Sequence, residues 1–230
     1  REGRPSRRQA PVRRQGNPCQ VGVGTMGNDI PLRYAFIAPA LFGVSLLAAG
    51  LITLAAGLPD DIAHTISSIF VLVVMVRLYR SAGLGIDSLG HSLGLAAVLS
   101  AISAGILLQA VSIGAIALLS KVDTASTVTV TLPYLLRLAV IDPLAEELCF
   151  RGVSLTALER RGLPFWAANL VQAVLFAAFH FNIVQSAYAF ACGLVLGGLR
   201  QRDGIVSSAI AHCACNLSGV ILGMILAGAA

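Results

Sequence analysis

Seven long apolar runs, separated by short polar segments, constrain this chain more than any other feature of its sequence. They fall at about residues 34–57, 62–79, 93–119, 137–158, 164–182, 184–199 and 205–229. A hydrocarbon core about 30 Å thick takes roughly 20 apolar residues as a helix, the length these runs offer. Lipid provides no hydrogen-bond partners, so only helices and closed β-barrels span it. A barrel would need short alternating segments, whereas these runs are continuous and rich in Ala, Leu, Gly and Val. Charged residues make up 12% of the chain, against about 25% in soluble domains. The expected fold class is all-α: a polytopic transmembrane helical bundle of about seven spans. The sixth run is short and the third long, which leaves room for tilt or a re-entrant segment.

The net charge of +5 raises nucleic acid as a partner, but the distribution of charge points to topology instead. Six arginines crowd the first fourteen residues, in a Pro- and Gln-containing stretch without hydrophobic periodicity. Residues 1–32 are therefore expected to be a disordered basic tail, ahead of a transmembrane helical domain at 33–230. Three readings of the tail stand: a solvated cytoplasmic segment, a contact for anionic lipid head groups, and, before Met26, non-native upstream read-through. No cleavable signal peptide is expected, because the first apolar run is too long and begins too late. With the N-terminus in the cytoplasm, the inner segments hold 13 of the 16 basic residues, as the positive-inside rule requires. The expected location is the cell membrane, multi-pass, with the C-terminus outside. Lipids and a protein or peptide are the expected partners, and nucleic acid is not. Internal repeats are not evident, which weakens a transporter built on repeated halves. Cys19, Cys149, Cys192, Cys213 and Cys215 form no disulfide framework, and the last four read as small hydrophobes. Gly193-x-x-x-Gly197 would let another helix approach closely. His64 and His91 lie near span ends or loops, and Trp166 reads as an interface anchor.

Ionisable side chains at mid-span are costly and usually face a protein interior or a wet cavity. Three sets qualify: Glu146-Glu147-Leu148-Cys149-Phe150-Arg151 in the fourth run, Phe176-Ala177-Ala178-Phe179-His180 in the fifth, and His212-Cys213-Ala214-Cys215-Asn216 in the seventh. Glu147 and Arg151 are four residues apart and can pair on one helix face. Glu146 points roughly 100° away around the helix and can address a different space. Phe176 precedes His180, and His212 precedes Asn216, by one turn. Counted from the inner ends, Glu146 lies roughly 21 Å deep, His212 roughly 12 Å and Asn216 roughly 18 Å. His180, at roughly 24 Å, is too far out unless the helix tilts or unwinds. Asp142-Pro143 is an N-cap and first-turn pattern, so a helix is expected to start there, after a break in the outer half of the span.

A carboxylate beside an imidazole can take a proton from water and return it to a leaving amine. A second His and an Asn amide can donate hydrogen bonds to an oxyanion. Together these are the parts for amide hydrolysis. A metal reading also fits, with Glu146, His180 and His212 as ligands to zinc or another divalent ion, although H-E-x-x-H is absent. Cys213 and Cys215, at diverging helix positions, read as packing residues rather than ligands.

Glu-Glu-x-x-x-Arg, Phe-x-x-x-His and His-x-x-x-Asn, in that order on successive apolar helices, resemble the CPBP (CAAX protease and bacteriocin-processing, or Abi) intramembrane peptidases over about residues 137–220. The resemblance implies that Glu146 activates water with help from His180, that Glu147 and Arg151 complete and hold the acidic motif, and that His212 and Asn216 stabilise the oxyanion. It implies an endopeptidase acting on a protein or peptide, prenylated or not. The family is labelled metallopeptidase, yet a metal-free, glutamate-dependent mechanism is also argued for it. The reading taken here needs no cofactor. Two rivals use the same residues: a non-cleaving immunity or binding protein on this fold, and a proton-coupled transporter with the acids as a relay. A purely structural knot of Glu146, Glu147 and Arg151 is the third.

Overall fold

The structure, a computed structural model, describes residues 30–85, 89, 94–119, 130–180 and 182–228. Residues 1–29 of the expected tail, with Cys19, His91 and Lys121, lie outside the described residues. Among the described residues there are seven helices and no strands. They are α1 (Tyr34–Ala55), α2 (Asp60–Ser81), α3 (Leu95–Leu119), α4 (132–160), α5 (Phe165–Ala177), α6 (Ile183–Asp203) and α7 (Ile205–Gly228). Five of them, α1, α2, α3, α6 and α7, are long and apolar enough to cross a membrane. The all-α bundle expected from the apolar runs is the observed fold, and the chain is a multi-pass membrane protein.

Two elements depart from expectation. The fourth run is helical from 132, five residues before the expected start, and it does not break at Asp142. Its N-cap is Thr131, whose hydroxyl accepts from Tyr134 N at 3.2 Å, with Pro133 in the first turn. Asp142 has helical dihedrals (φ −61°, ψ −50°). Pro143 is accommodated by a wide π-helical turn over Arg137–Ile141, in which Asp142 N reaches back five residues to Arg137 O. The second departure is α5, which ends at Ala177 instead of continuing to 182. His180 therefore stands on an unwound segment, the alternative its calculated depth required. Asn182 then caps α6, accepting from Val184 N and Gln185 N.

α4 is the centre of the bundle, packing on α1, α2, α5 and α7, while α1–α2 and α5–α6 form antiparallel hairpins and α3 packs chiefly on α7. Where backbones approach, small residues make room. A Cβ on Gly105 would fall 2.1 Å from Ala211 O, which seats α3 directly on α7. Gly193 and Gly197 both face α5, where a Cβ would meet Ala173 at 2.9 Å and Asn169 Oδ1 at 1.8 Å. Two amides close that contact: Asn169 Nδ2 donates to Leu194 O (3.0 Å) and Gln172 Nε2 to Gly193 O (2.9 Å). Gly105 meets Ala211 and, one turn on, Gln109 meets Cys215 and Gly219, so α3 and α7 run parallel.

The ends of the bundle are polar. At one end Arg161 Nε donates to Ile30 O (3.3 Å), Arg200 pairs with Glu159 (2.5 Å), and Arg202 Nη2 donates to Ser100 (2.9 Å). At the other, Thr131 Oγ1 donates to Asp61 (2.8 Å). The interior is aromatic: the fully buried Phe150 ring lies 5.9, 5.2 and 5.7 Å from Phe42, Phe176 and Phe179.

Candidate active site

The acidic motif sits where α4 passes from the α-helical turn Asp142–Glu146 into a second π-helical stretch, Glu147–Ser154. Wide turns of this kind recur at functional sites because they redirect side chains that a regular helix would stack. Here the two neighbouring glutamates enter different surroundings. The Glu147 side chain is 1% exposed and that of Glu146 is 22% exposed.

Both oxygens of Glu147 are occupied. Oε1 accepts from Arg151 Nη1 at 3.0 Å and from His212 Nδ1 at 2.9 Å, and Oε2 accepts from the Ser208 hydroxyl. Arg151 is itself fully buried, with its guanidinium 4.4 Å from the Phe176 ring. Its Nε and Nη2 have no hydrogen-bond partner among the described residues, so the aromatic face takes part of the charge. Phe176 thus earns its place in the Phe-x-x-x-His pattern. It carries Arg151 on one side and meets the rings of His180 (5.1 Å) and His212 (5.9 Å) edge to face.

Glu146 is left open. Among the described residues its close polar partner is His212 Nε2, 3.5 Å from Oε2, and it borders a cavity of about 640 Å³. His180, His212 and Asn216 border the same cavity. Since the Glu147 carboxylate can only accept, His212 Nδ1 must carry a proton, and Nε2 is the atom it turns to Glu146. His180 Nδ1 lies 3.2 Å from Phe176 O and donates to it, which leaves His180 Nε2 as an acceptor. The turn that holds it is fastened by the Ser186 hydroxyl, which donates to His180 O.

Asn216 has a structural task that its motif did not announce. In the π-helical register, the carbonyl of Leu138 would be met by the N–H of residue 143, and that residue is proline. Asn216 Nδ2 donates to Leu138 O instead, at 2.9 Å. One amide hydrogen remains for the cavity. The structure therefore gathers Glu146, His180, His212 and Asn216 around one space, with Glu147 and Arg151 buried behind them.

Sequence reasoning missed four participants. Ser208, on Glu147, stands one turn before His212, so helical spacing could have found it. Asp142, paired with Arg137 at 3.0 Å, was read only as a cap. Gln109 and Tyr188, polar but uncharged at neutral pH, were not sought. For a metal, no group of three His, Cys, Asp or Glu side chains is placed to hold an ion among the described residues. No step below is routed through a metal.

Residues 127–218 match the family model described as Type II CAAX prenyl endopeptidase Rce1-like. Comparison with curated proteins and with solved structures gave no match. The matched segment contains α4 to the middle of α7, and hence every residue of the three motifs. The resemblance to the CPBP family holds there, and at family level it is a resemblance to membrane-embedded CAAX-type proteases.

Proposed function

We propose that this chain, Rce1-like over residues 127–218, is an intramembrane endopeptidase that uses water activated by Glu146 to cut a protein or peptide substrate. The observation that carries the reading is the division of labour between adjacent carboxylates. Glu147 is saturated by Arg151, His212 and Ser208, whereas Glu146 keeps a free face on the cavity. A general base needs that freedom.

In this reading, Glu146 takes a proton from water as the water oxygen bonds to the scissile carbonyl carbon. His180 Nε2, an acceptor by virtue of its Phe176 contact, helps orient the water. The carbonyl oxygen becomes an oxyanion and receives hydrogen bonds from His212 Nε2, when protonated, and from the unused N–H of Asn216. The proton on Glu146 then passes to the amide nitrogen as the C–N bond breaks, giving a carboxylic acid and an amine; the acid's proton moves to the amine, leaving a carboxylate and an ammonium group. Arg151 and Glu147 do not touch the substrate; they hold His212 in its tautomer and orientation.

The test uses the full chain in proteoliposomes with internally quenched peptides ending in a CAAX box, one farnesylated and one not, in heavy-oxygen water. The expected result is cleavage of at least one peptide, with one labelled oxygen in the new carboxylate, and loss of both in Glu146→Gln. Undiminished cleavage by Glu146→Gln contradicts the reading.

A further inference from the structure

Gln109 lies mid-span on α3, outside the residues that carry the family match, in the otherwise apolar stretch Ile106-Leu107-Leu108-Gln109-Ala110-Val111. A lone amide facing hydrocarbon is costly, and Gln109 turns inward instead, onto the cavity that Glu146 borders. Its Oε1 accepts from the Tyr188 hydroxyl (3.5 Å) and the Cys215 thiol (3.6 Å), and those two groups are 2.9 Å apart. The amide lies flat over Gly219, where an added Cβ would stand 3.0 Å from both Cδ and Nε2. The carbonyl side of the amide is thereby anchored. Nε2, with its two donor hydrogens, has no partner among the described residues.

Its position along the cavity gives this donor a use. On α6, the cavity-lining residues run from exposed Gln185 through half-buried Tyr188 to buried Cys192 and Leu196. On α7 they run from exposed Met224 to buried Cys215 and His212. Among the described residues, the cavity is thus open at the Gln185–Met224 end and closed at the His212 end. Gln109, level with Cys215 and Gly219, stands between the two. A peptide must be extended to present its scissile bond, so its backbone carbonyls enter this space without helical partners, which is unfavourable away from water. Leu108, Ile113 and Val220 on the same stretch of wall offer them no donor.

We propose that Gln109 is a substrate-binding residue whose Nε2 donates to a backbone carbonyl of the extended substrate between the cavity mouth and the scissile bond. The inference rests on the peptidase reading above and adds to it a contact supplied from outside the motif helices. Tyr188 is then a positioning residue, holding the amide so that its nitrogen, not its oxygen, faces the peptide.

The probe is the quenched CAAX peptide that wild-type protein cuts. Gln109→Leu should raise KM by about 3–10-fold, the worth of one hydrogen bond, with kcat little changed and the melting temperature preserved. Gly219→Ala, which lifts the amide off α7 while keeping Gln109, should move KM in the same direction. A set of peptides in which successive carbonyls are replaced by methylene separates contact from architecture. At one position the replacement should weaken binding to wild type and leave Gln109→Leu unaffected. Affinity is measured in parallel on Glu146→Gln protein with and without Gln109→Leu, so that binding is read without turnover. Unchanged KM in a folded Gln109→Leu enzyme that still cuts, or equal losses at every methylene position in both proteins, overturns this inference alone. Wild-type protein that binds but never cuts defeats the peptidase reading, and an unchanged affinity on Gln109→Leu then defeats the inference as well. Protein that neither binds nor cuts either peptide defeats both.

Discussion

Glu147 and Arg151 form a buried pair in which both carboxylate oxygens accept hydrogen bonds and the guanidinium is shared between Glu147 and the Phe176 ring. Arg151→Ala removes the Nη1 donor and the stacked guanidinium together, leaving Glu147 facing low dielectric with His212 and Ser208 alone. Breaking a buried pair in this way costs about 3–5 kcal/mol, so the detergent-solubilised protein should melt markedly lower. Ser208→Ala should cost less, about 1–3 kcal/mol for one lost donor, measured in the same scan. Treatment with a chelator should leave turnover intact, and inhibition reversed by zinc would move Glu146, His180 and His212 back to the ligand reading. At this scale the sequence was highly legible. Four-residue spacing put Glu147 with Arg151, and the neighbouring-position divergence put Glu146 elsewhere. It failed at Ser208 and Gln109 because neutral polar groups in an apolar run carry no charge penalty to draw attention to them.

Among the elements, α4 is the informative one. Its proline would ordinarily mark a helix start, since Pro lacks an N–H and suits the first turn. Here the helix continues through it by widening, and the stranded Leu138 carbonyl is collected by Asn216 from α7. The compensating group lies 78 residues away in the sequence, which is why no local pattern could distinguish a cap from a π turn. A double-mutant cycle measures the arrangement. Asn216→Leu alone should destabilise by about 1–3 kcal/mol, the cost of an unsatisfied buried carbonyl. In a Pro143→Ala background, where residue 143 regains its N–H, the same change should cost less. Equal costs in both backgrounds would show that the Asn216–Leu138 contact is incidental. The Gly193 and Gly197 pattern, by contrast, was readable as a close-approach face, although only the fold reveals that its partner is α5.

The whole molecule was legible as a helical membrane bundle, because runs of apolar residues admit few other solutions. Which helices touch was not, since lipid-facing and partner-facing surfaces are equally apolar; α3 seated on α7 through Gly105 is a case in point. The basic residues Arg161, Arg200 and Arg202 share the end of the bundle that holds Ile30 and Ser100. We propose that this end is cytoplasmic, following the positive-inside rule. Single cysteines at Arg161 and Asp60, in a background lacking native thiols, should be labelled by a membrane-impermeant maleimide from opposite sides of right-side-out vesicles, with Asp60→Cys reached from outside. The reverse pattern would invert the topology. Removing the residues before Met26 should leave that pattern unchanged.

The central claim is that Glu146 does chemistry while its neighbour Glu147 does architecture, and it is tested by measuring turnover and melting temperature together on Glu146→Gln. The substitution preserves size and hydrogen bonding but removes the base. Turnover of the CAAX peptide should therefore fall by roughly 10²–10⁴-fold, with the melting temperature close to wild type. Full turnover in a Glu146→Gln protein, or a loss of turnover explained by a collapsed melting temperature, would contradict that assignment.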